Sequence, residues 1–415
     1  MKRALYLLFI GTLLLLIGHD AVSQSSYEWV ERSPLPGAAR YGSFNFVIGN
    51  YGYVVGGGDS NATFSDGWRY DPEADSWIPI ANAPQPMRHG AAFSVNGKGY
   101  VMCGQASTNV ILDQLFCYDP VTNSWTEKAS LPAYPRYGPH GFAIGGFGYL
   151  GGGNRGSANG PYLDDMWKYD PLIDQWSSSI GIPGLPRYGA TAFVINGKGF
   201  VQGGRDSSLD FTSDLWEFDP VALDWTIRPE MPGVGRSWSM VMTFPYEAVV
   251  GGGKDVALQV FNDAYRYQPS ANSWVSLPDY PGGSGWSGAS FGIGTRTFGG
   301  LGKLLFPSTV HFNDLWELVK RDENSILEQG RNTDGVIQVV PNPVTSGSPI
   351  AIVFEGKANP DLLGELVVTD AVGRVVHNER VMLKEAIQLP ALSSGQYVVR
   401  YLDTYRTWSA QLVVR

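Results

Sequence analysis

The sequence predicts an all-β protein: a ring of six four-stranded blades followed by a small C-terminal β-sandwich. Three observations lead there. Tryptophan recurs at a nearly fixed interval, with Trp29, Trp77, Trp125, Trp176, Trp225 and Trp274 spaced by 48, 48, 51, 49 and 49 residues. A period of that length marks a repeat architecture. Between the tryptophans lie short apolar runs split by turn residues, with no helical period of useful length. The composition, 52 Gly and 27 Pro in 415 residues, is that of a turn-rich β chain.

The elements of one unit follow from local chemistry. Each Trp comes seven residues after an aromatic that opens a phrase: Tyr70-Asp71-Pro72, Tyr118-Asp119-Pro120, Tyr169-Asp170-Pro171, Phe218-Asp219-Pro220 and Tyr267-Gln268-Pro269. Proline fixes φ for a turn and Asp bonds the turn backbone, so each phrase reads as strand, tight turn, strand. An Asp precedes each phrase (Asp66, Asp113, Asp165, Asp214, Asp263), and Asp314 holds that place in a sixth copy. Further upstream sits a glycine pair, Gly56-Gly57, Gly152-Gly153, Gly203-Gly204, Gly252-Gly253 and Gly299-Gly300, with Gly104-Gln105 in the second copy. The earliest runs of each unit carry hairpin signals such as Asn96-Gly97 and Asn196-Gly197, which supply the positive φ a two-residue hairpin needs. Four strands per unit, repeated around an axis, make a β-propeller with short, protected edges.

Gly-Gly, then Asp before Leu-Trp-x-Phe/Tyr-Asp-Pro, then Trp, resembles the kelch repeat, over roughly residues 27–320. The sixth copy, Asp314-Leu315-Trp316-Glu317-Leu318, lacks a following Trp strand, while Tyr27-Glu28-Trp29-Val30 stands unpaired at the other end. The expected domain is therefore 24–320, a six-bladed ring closed by its N-terminal strand.

The ends of the chain carry addresses. Met1-Lys2-Arg3, an apolar run over 4–18 and Ala21-Val22-Ser23 describe a secretory signal peptide, 1–23. No other segment approaches the length of a membrane span. Residues 321–336 are polar and read as a linker. Residues 337–415 alternate in β fashion. Their Pro341-Asn342-Pro343, the run from Val368 to Val376 and Leu392-Ser393-Ser394-Gly395 are similar to the C-terminal sorting domain of type IX secretion substrates. That resemblance implies a Bacteroidetes-type cell, the type IX machinery as a partner, secretion across the outer membrane, and an extracellular or surface-attached product.

The net charge of −9 argues against nucleic acid as a partner. Cys103 and Cys117 fall on the second and third strands of blade two, and a disulfide and two separate thiols both stay open.

The candidate site lies on the face opposite the short hairpins, where the loops vary. Arg40, Arg88, Arg136, Arg187 and Arg236 each stand sixteen residues before the first glycine position of their blade. They suggest a channel-mouth ring for an anionic ligand, together with His89, Tyr137, Tyr188, Trp238 and Trp286. In kelch domains that bind acidic peptides, arginine at this position contacts ligand. The competing reading is that these arginines and the repeated aspartates brace neighbouring blades. The function expected is a binding module for a glycan or protein. The alternative is a sugar-active envelope enzyme similar to the sialic acid mutarotases of the kelch group, with Glu230, His89 and His140 as acid–base groups. A copper radical oxidase needs two His and two Tyr around one metal, and His89, His140 and His311 fall in different blades. The 59–66 loop reads as solvated rather than calcium-binding. No cofactor, metal or catalytic residue is assigned.

Overall fold

The computed structural model describes residues 26–321, apart from 107–109, 157–159, 284 and 306, and the strands of the C-terminal unit within 336–414. Residues 27–320 form one compact unit, and the described residues of 336–414 belong to another. The expected leader and almost all of the expected linker lie outside the described residues.

The first unit is a six-bladed propeller. Blade one is built from Phe44–Ile48, Tyr51–Val55, Gly67–Asp71 and Ser76–Ile80. Blade two follows with Ala91–Val95, Lys98–Met102, Leu115–Asp119 and Ser124–Lys128. Blade three has His140–Ile144, Phe147–Gly151, Met166–Asp170 and Gln175–Ser179. Blade four has Thr191–Ile195, Lys198–Asp206, Phe211–Asp219 and Asp224–Arg228. Blade five has Met240–Thr243, Ala248–Gly251, Ala264–Gln268 and Ser273–Leu277. In blade six, Ala289–Ile293, Arg296–Leu304 and Val310–Arg321 are joined by Ser26–Arg32, which pairs outside Val310–Arg321 as the fourth strand. The first strands of neighbouring blades touch in a closed circuit, so they line the axis.

Two repeated devices explain why the tryptophan and tyrosine columns exist. An aromatic ladder crosses every blade except the fifth: Phe46 stacks on Tyr53, which meets Tyr118 of the next blade, and Phe93–Tyr100–Tyr169 and Phe193–Phe200–Tyr267 repeat the motif. Aromatic pairs of this kind contribute about 0.5–1.5 kcal/mol beyond their burial. The indole N–H of each fourth-strand Trp then donates to a carbonyl just past the preceding blade. The pairs are Trp77 to Ser33, Trp125 to Ala81, Trp176 to Ala129, Trp225 to Ile180, Trp274 to Pro229 and Trp29 to Pro278, all at 2.8–3.0 Å. The circuit closes because Trp29 takes the sixth place. Arg32 and Arg296 both donate to the buried Glu317 carboxylate, fastening the N-terminal strand to blade six.

The second unit holds two antiparallel sheets. One runs Val336–Val340, Pro349–Glu355, Ile387–Gln388, and the other Val375–Met382, Leu363–Asp370, Gly395–Leu402, Thr407–Val414. Val336–Val340 packs against Thr407–Val414. Leu366, Val368, Tyr397, Val399, Leu412 and Val414 are buried at alternating positions, the pattern of a one-faced sheet.

Candidate functional site

The top of the central channel is organised by a ring of six backbone hydrogen bonds. His89 N donates to Gly42 O, Gly138 to His89, Gly189 to Gly138, Trp238 to Gly189, Ser287 to Trp238 and Gly42 to Ser287, at 2.7–3.0 Å. All six residues have φ between 53° and 68°. That region suits glycine, and three positions comply. His89, Trp238 and Ser287 adopt it with side chains, and the rings of His89 and Trp238 meet over the axis with centroids 4.7 Å apart. The glycines make room for them. A Cβ on Gly42 would lie 2.6 Å from the His89 ring, and one on Gly189 would lie 2.8 Å from Trp238. Below this roof is a cavity of about 160 Å³ with polar side chains such as Ser43, Asn45, His140, Thr191, Ser239 and Ser290 on its wall.

The arginine column does not line the mouth as five guanidinium groups, which corrects the sequence reading. Arg40, Arg136, Arg187 and Arg236 are buried, and each reaches its blade's repeated Asp, which lies just before the third strand or, for Asp214 of blade four, within it. Arg40 grips both Asp66 oxygens at 2.7 Å and donates to Gly56 O at 3.0 Å. Arg136 does the same with Asp165 and Gly152, and Arg236 with Asp263 and Gly252, while Arg187 donates to Asp214 Oδ1 and Gly203 O. Meanwhile their backbones bond to the preceding blade: Arg136 N donates to Leu112 O, and Arg136 O accepts from Gly104 N. Each arginine therefore bridges two blades. Burial pushes the Asp66, Asp165 and Asp214 carboxyls up, but the arginine hydrogen bond and charge hold all three below the usual range.

Two copies depart from this pattern. In blade two, Met87 N donates to Phe64 O and Met87 O accepts from Gly57 N, so Met87 stands at the arginine position. Cys103 N donates to Gln114 O as Gly56 N does to Asp66 O, which places Gln114, not Asp113, opposite it and makes Cys103-Gly104 the glycine-pair position. Arg88 is thereby shifted one residue along. In blade six the corresponding pair is Leu301-Gly302, both at positive φ, rather than Gly299-Gly300. There Gly285 stands at the arginine position, its carbonyl accepting from Gly253 N, and Tyr280 takes over as donor to the Asp, reaching Asp314 Oδ2 at 2.9 Å beside Trp316 Nε1 at 3.0 Å. With no guanidinium to balance burial, the Asp314 carboxyl is pushed up. Both cysteines are free and buried, and Tyr100, not Cys103, stands opposite Cys117.

The mouth is formed by the next two columns. One is Tyr41, Arg88, Tyr137, Tyr188, Ser237 and Trp286. The other, bonded to it through the backbone, is Gly58, Gln105, Asn154, Arg205, Lys254 and Lys303. Arg88 Nη1 donates to Tyr41 Oη at 3.1 Å. Lys254 Nζ lies 4.5 Å from the Trp286 ring centroid and Lys303 Nζ 4.4 Å from that of Tyr41. Tyr188 touches Tyr137, Tyr162 and Trp238. Burial and the charges of Arg205 and Lys303 bring Lys254 down to about 8. Burial, then Arg88, Lys303 and Lys254, bring His89 down to about 3, so its imidazole is neutral. Of the predicted site residues, Arg88, His89, Tyr137, Tyr188, Trp238 and Trp286 thus share the mouth. Sequence reading missed Arg205, Lys254 and Lys303, although all three immediately follow the glycine-pair positions and form a visibly variable column.

The proposed acid–base groups do not converge. Glu230 lies past the fourth strand of blade four and accepts from Ser213 Oγ at 2.8 Å. His140 faces the channel below the roof, and burial holds it near 3. In the 59–66 loop, Asp59 Oδ1 accepts from Asn61 N and Ala62 N of its own turn.

A family model described as Kelch motif matches residues 39–84, 86–132 and 186–232. Among solved structures, one titled "Structure of YjhT" is similar, with 15% identity and a TM-score of 0.58 over 68% of this chain and 95% of that one, a likeness of fold. No curated protein matches the chain. The chain is an all-β protein whose larger unit is a six-bladed propeller built from kelch motifs.

Proposed function

We propose that the propeller is an exported binding module that holds an acidic glycan at its channel mouth. The observation that carries this is the gathering of Arg88, Arg205, Lys254 and Lys303 around Trp286, Tyr41 and Tyr188, in a chain of net charge −9. Lys254, depressed by burial and then by the charges of Arg205 and Lys303, gains from an anion arriving beside it. Aromatic faces beside them suit the apolar faces of sugar rings, and guanidinium pairs bidentately with carboxylate or sulfate. The buried arginines serve the frame instead. Neutral His89, on which no carboxylate acts among the described residues, supports binding over proton transfer to a sugar as the primary activity.

The same reading includes export. The leader and the sorting-type C-terminal sequence would carry the propeller through the outer membrane by the type IX route to the cell surface. Fractionation of cells expressing the chain with and without residues 337–415 tests this: surface recovery only with the intact C-terminus supports the route.

For the ligand, the chain is applied to an array of neutral, carboxylated and sulfated glycans and acidic peptides, at low and moderate salt. Salt-sensitive binding to acidic glycans is expected. Binding confined to acidic peptides would move the assignment to a protein ligand, and binding indifferent to charge would overturn it.

A further inference from the structure

The mouth contains an amine in unusual surroundings. Lys254 Nζ and Lys303 Nζ both lie over the Trp286 ring, at 4.5 and 5.2 Å from its centroid. Burial lowers Lys254 most, the charges of Arg205 and Lys303 lower it further, and Asp255 opposes them only weakly. The contrast is Lys98, whose ammonium is paired with Asp119 at 2.9 Å and held above the usual lysine range. A lysine desolvated against an aromatic surface and next to other cations has a free amine available near neutral pH, and such an amine is a nucleophile. The cations that release it also attract anions to the same place.

We propose that Lys254 is a covalent capture site for carbonyl compounds that carry an acid group, such as anionic aldehydes or 2-oxo acids. The acid group sits among Arg88, Arg205 and Lys303 while the carbonyl faces Lys254. The Nζ lone pair forms the new C–N bond as the carbonyl π pair moves to oxygen, which takes a proton. The carbinolamine oxygen takes a second proton from solvent and leaves as water as the nitrogen lone pair forms the C=N bond, and the remaining N–H proton returns to solvent. Amine plus carbonyl thus give imine plus water, with no change of oxidation state. The proposal rests on the reading of the mouth as an anion site and adds a chemical step to it.

The test exposes the full chain to glyoxylate, an anionic aldehyde, or to acetaldehyde, its neutral counterpart, with cyanoborohydride to fix any imine as a stable amine. Peptide mass spectrometry locates the adducts. Glyoxylate is expected to modify Lys254 at least tenfold faster than Lys98, with a rate that rises to a plateau through about pH 8. Acetaldehyde should show a much smaller preference. The Lys254→Arg variant should lose the adduct without transferring it to Lys303. Glyoxylate labelling spread evenly over the lysines would overturn the capture proposal while leaving anion binding to be judged by the glycan array. Equal labelling of Lys254 by both aldehydes would overturn the anionic preference and, with it, the reading of the mouth as an anion site.

Discussion

Trp238 lies against His89 with ring centroids 4.7 Å apart, although the two residues come from blades on different sides of the ring. Both adopt positive φ, and both project over glycines of the same hydrogen-bonded circuit. Size is therefore distributed around the circuit: two large side chains are accommodated because Gly42, Gly138 and Gly189 have none. Gly189→Ala should destabilise the fold by about 2 kcal/mol, from backbone strain at φ 66° and the clash with Trp238. Combined with Trp238→Ala, the same change should cost only the backbone part, about 1 kcal/mol. Urea unfolding of the four proteins in the cycle measures the coupling.

The arginine bridges carry stability. Arg136→Ala removes both guanidinium hydrogen bonds from the Asp165 carboxylate, leaving it the Trp167 indole, and takes the guanidinium from the Gly152 carbonyl; it should cost about 3 kcal/mol. Blade two shows how the position works without charge, using Met87 and Gln114. The double change Arg136→Met with Asp165→Gln should recover most of the loss. Equal losses in the single and double variants would contradict the bridging role. The pH dependence has a definite sign. Asp165 has a lowered folded value, so its contribution is present above the ordinary 3.8 and is lost as pH falls through the folded value.

The sixth blade should behave in the opposite sense. Asp314 is pushed up, so its proton favours the fold at low pH and that help is lost as pH rises from 3.8 through the raised value. Tyr280→Phe removes a donor to the ionised carboxylate and should cost about 2 kcal/mol at pH 7. At pH 4 the cost should be smaller. Unfolding curves at the two pH values check this.

Much of this architecture was legible in the chain. The tryptophan period works as a signal because each indole must reach the preceding blade at one fixed distance along the repeat. The unpaired Trp29 strand was legible for the same reason, since a sixth indole bond was still to be made. The site was less legible. Arg88 stands sixteen residues before Gly104, matching the spacing of the true arginine column, because Met87 and Cys103 together displace both ends of that spacing by one. Only the backbone bonds reveal the shift. Charge type alone could not separate buried Arg136 from mouth residue Arg205, because a guanidinium reads the same in the sequence whether it is buried in the frame or stands at the mouth.

At the mouth, stability and binding should separate. Lys254 has a lowered folded value, about 8, so it opposes folding at neutral pH and this cost is relieved as pH rises from 8 towards 10.5. Lys254→Met should therefore raise stability at pH 7 by about 1 kcal/mol after solvent screening. The gain should shrink at pH 10, as thermal melts at the two pH values would show.

The central claim is that the frame arginines and the mouth cations have different tasks. The most direct measurement compares the wild-type chain with the double variant Lys254→Met, Lys303→Met on the same acidic-glycan array, with circular dichroism melts alongside. The predicted result is an intact fold, at least as stable as the wild type at pH 7, that has lost its salt-sensitive acidic hits by at least tenfold. Retention of those hits by the double variant, or absence of acidic hits in the wild type, would contradict it.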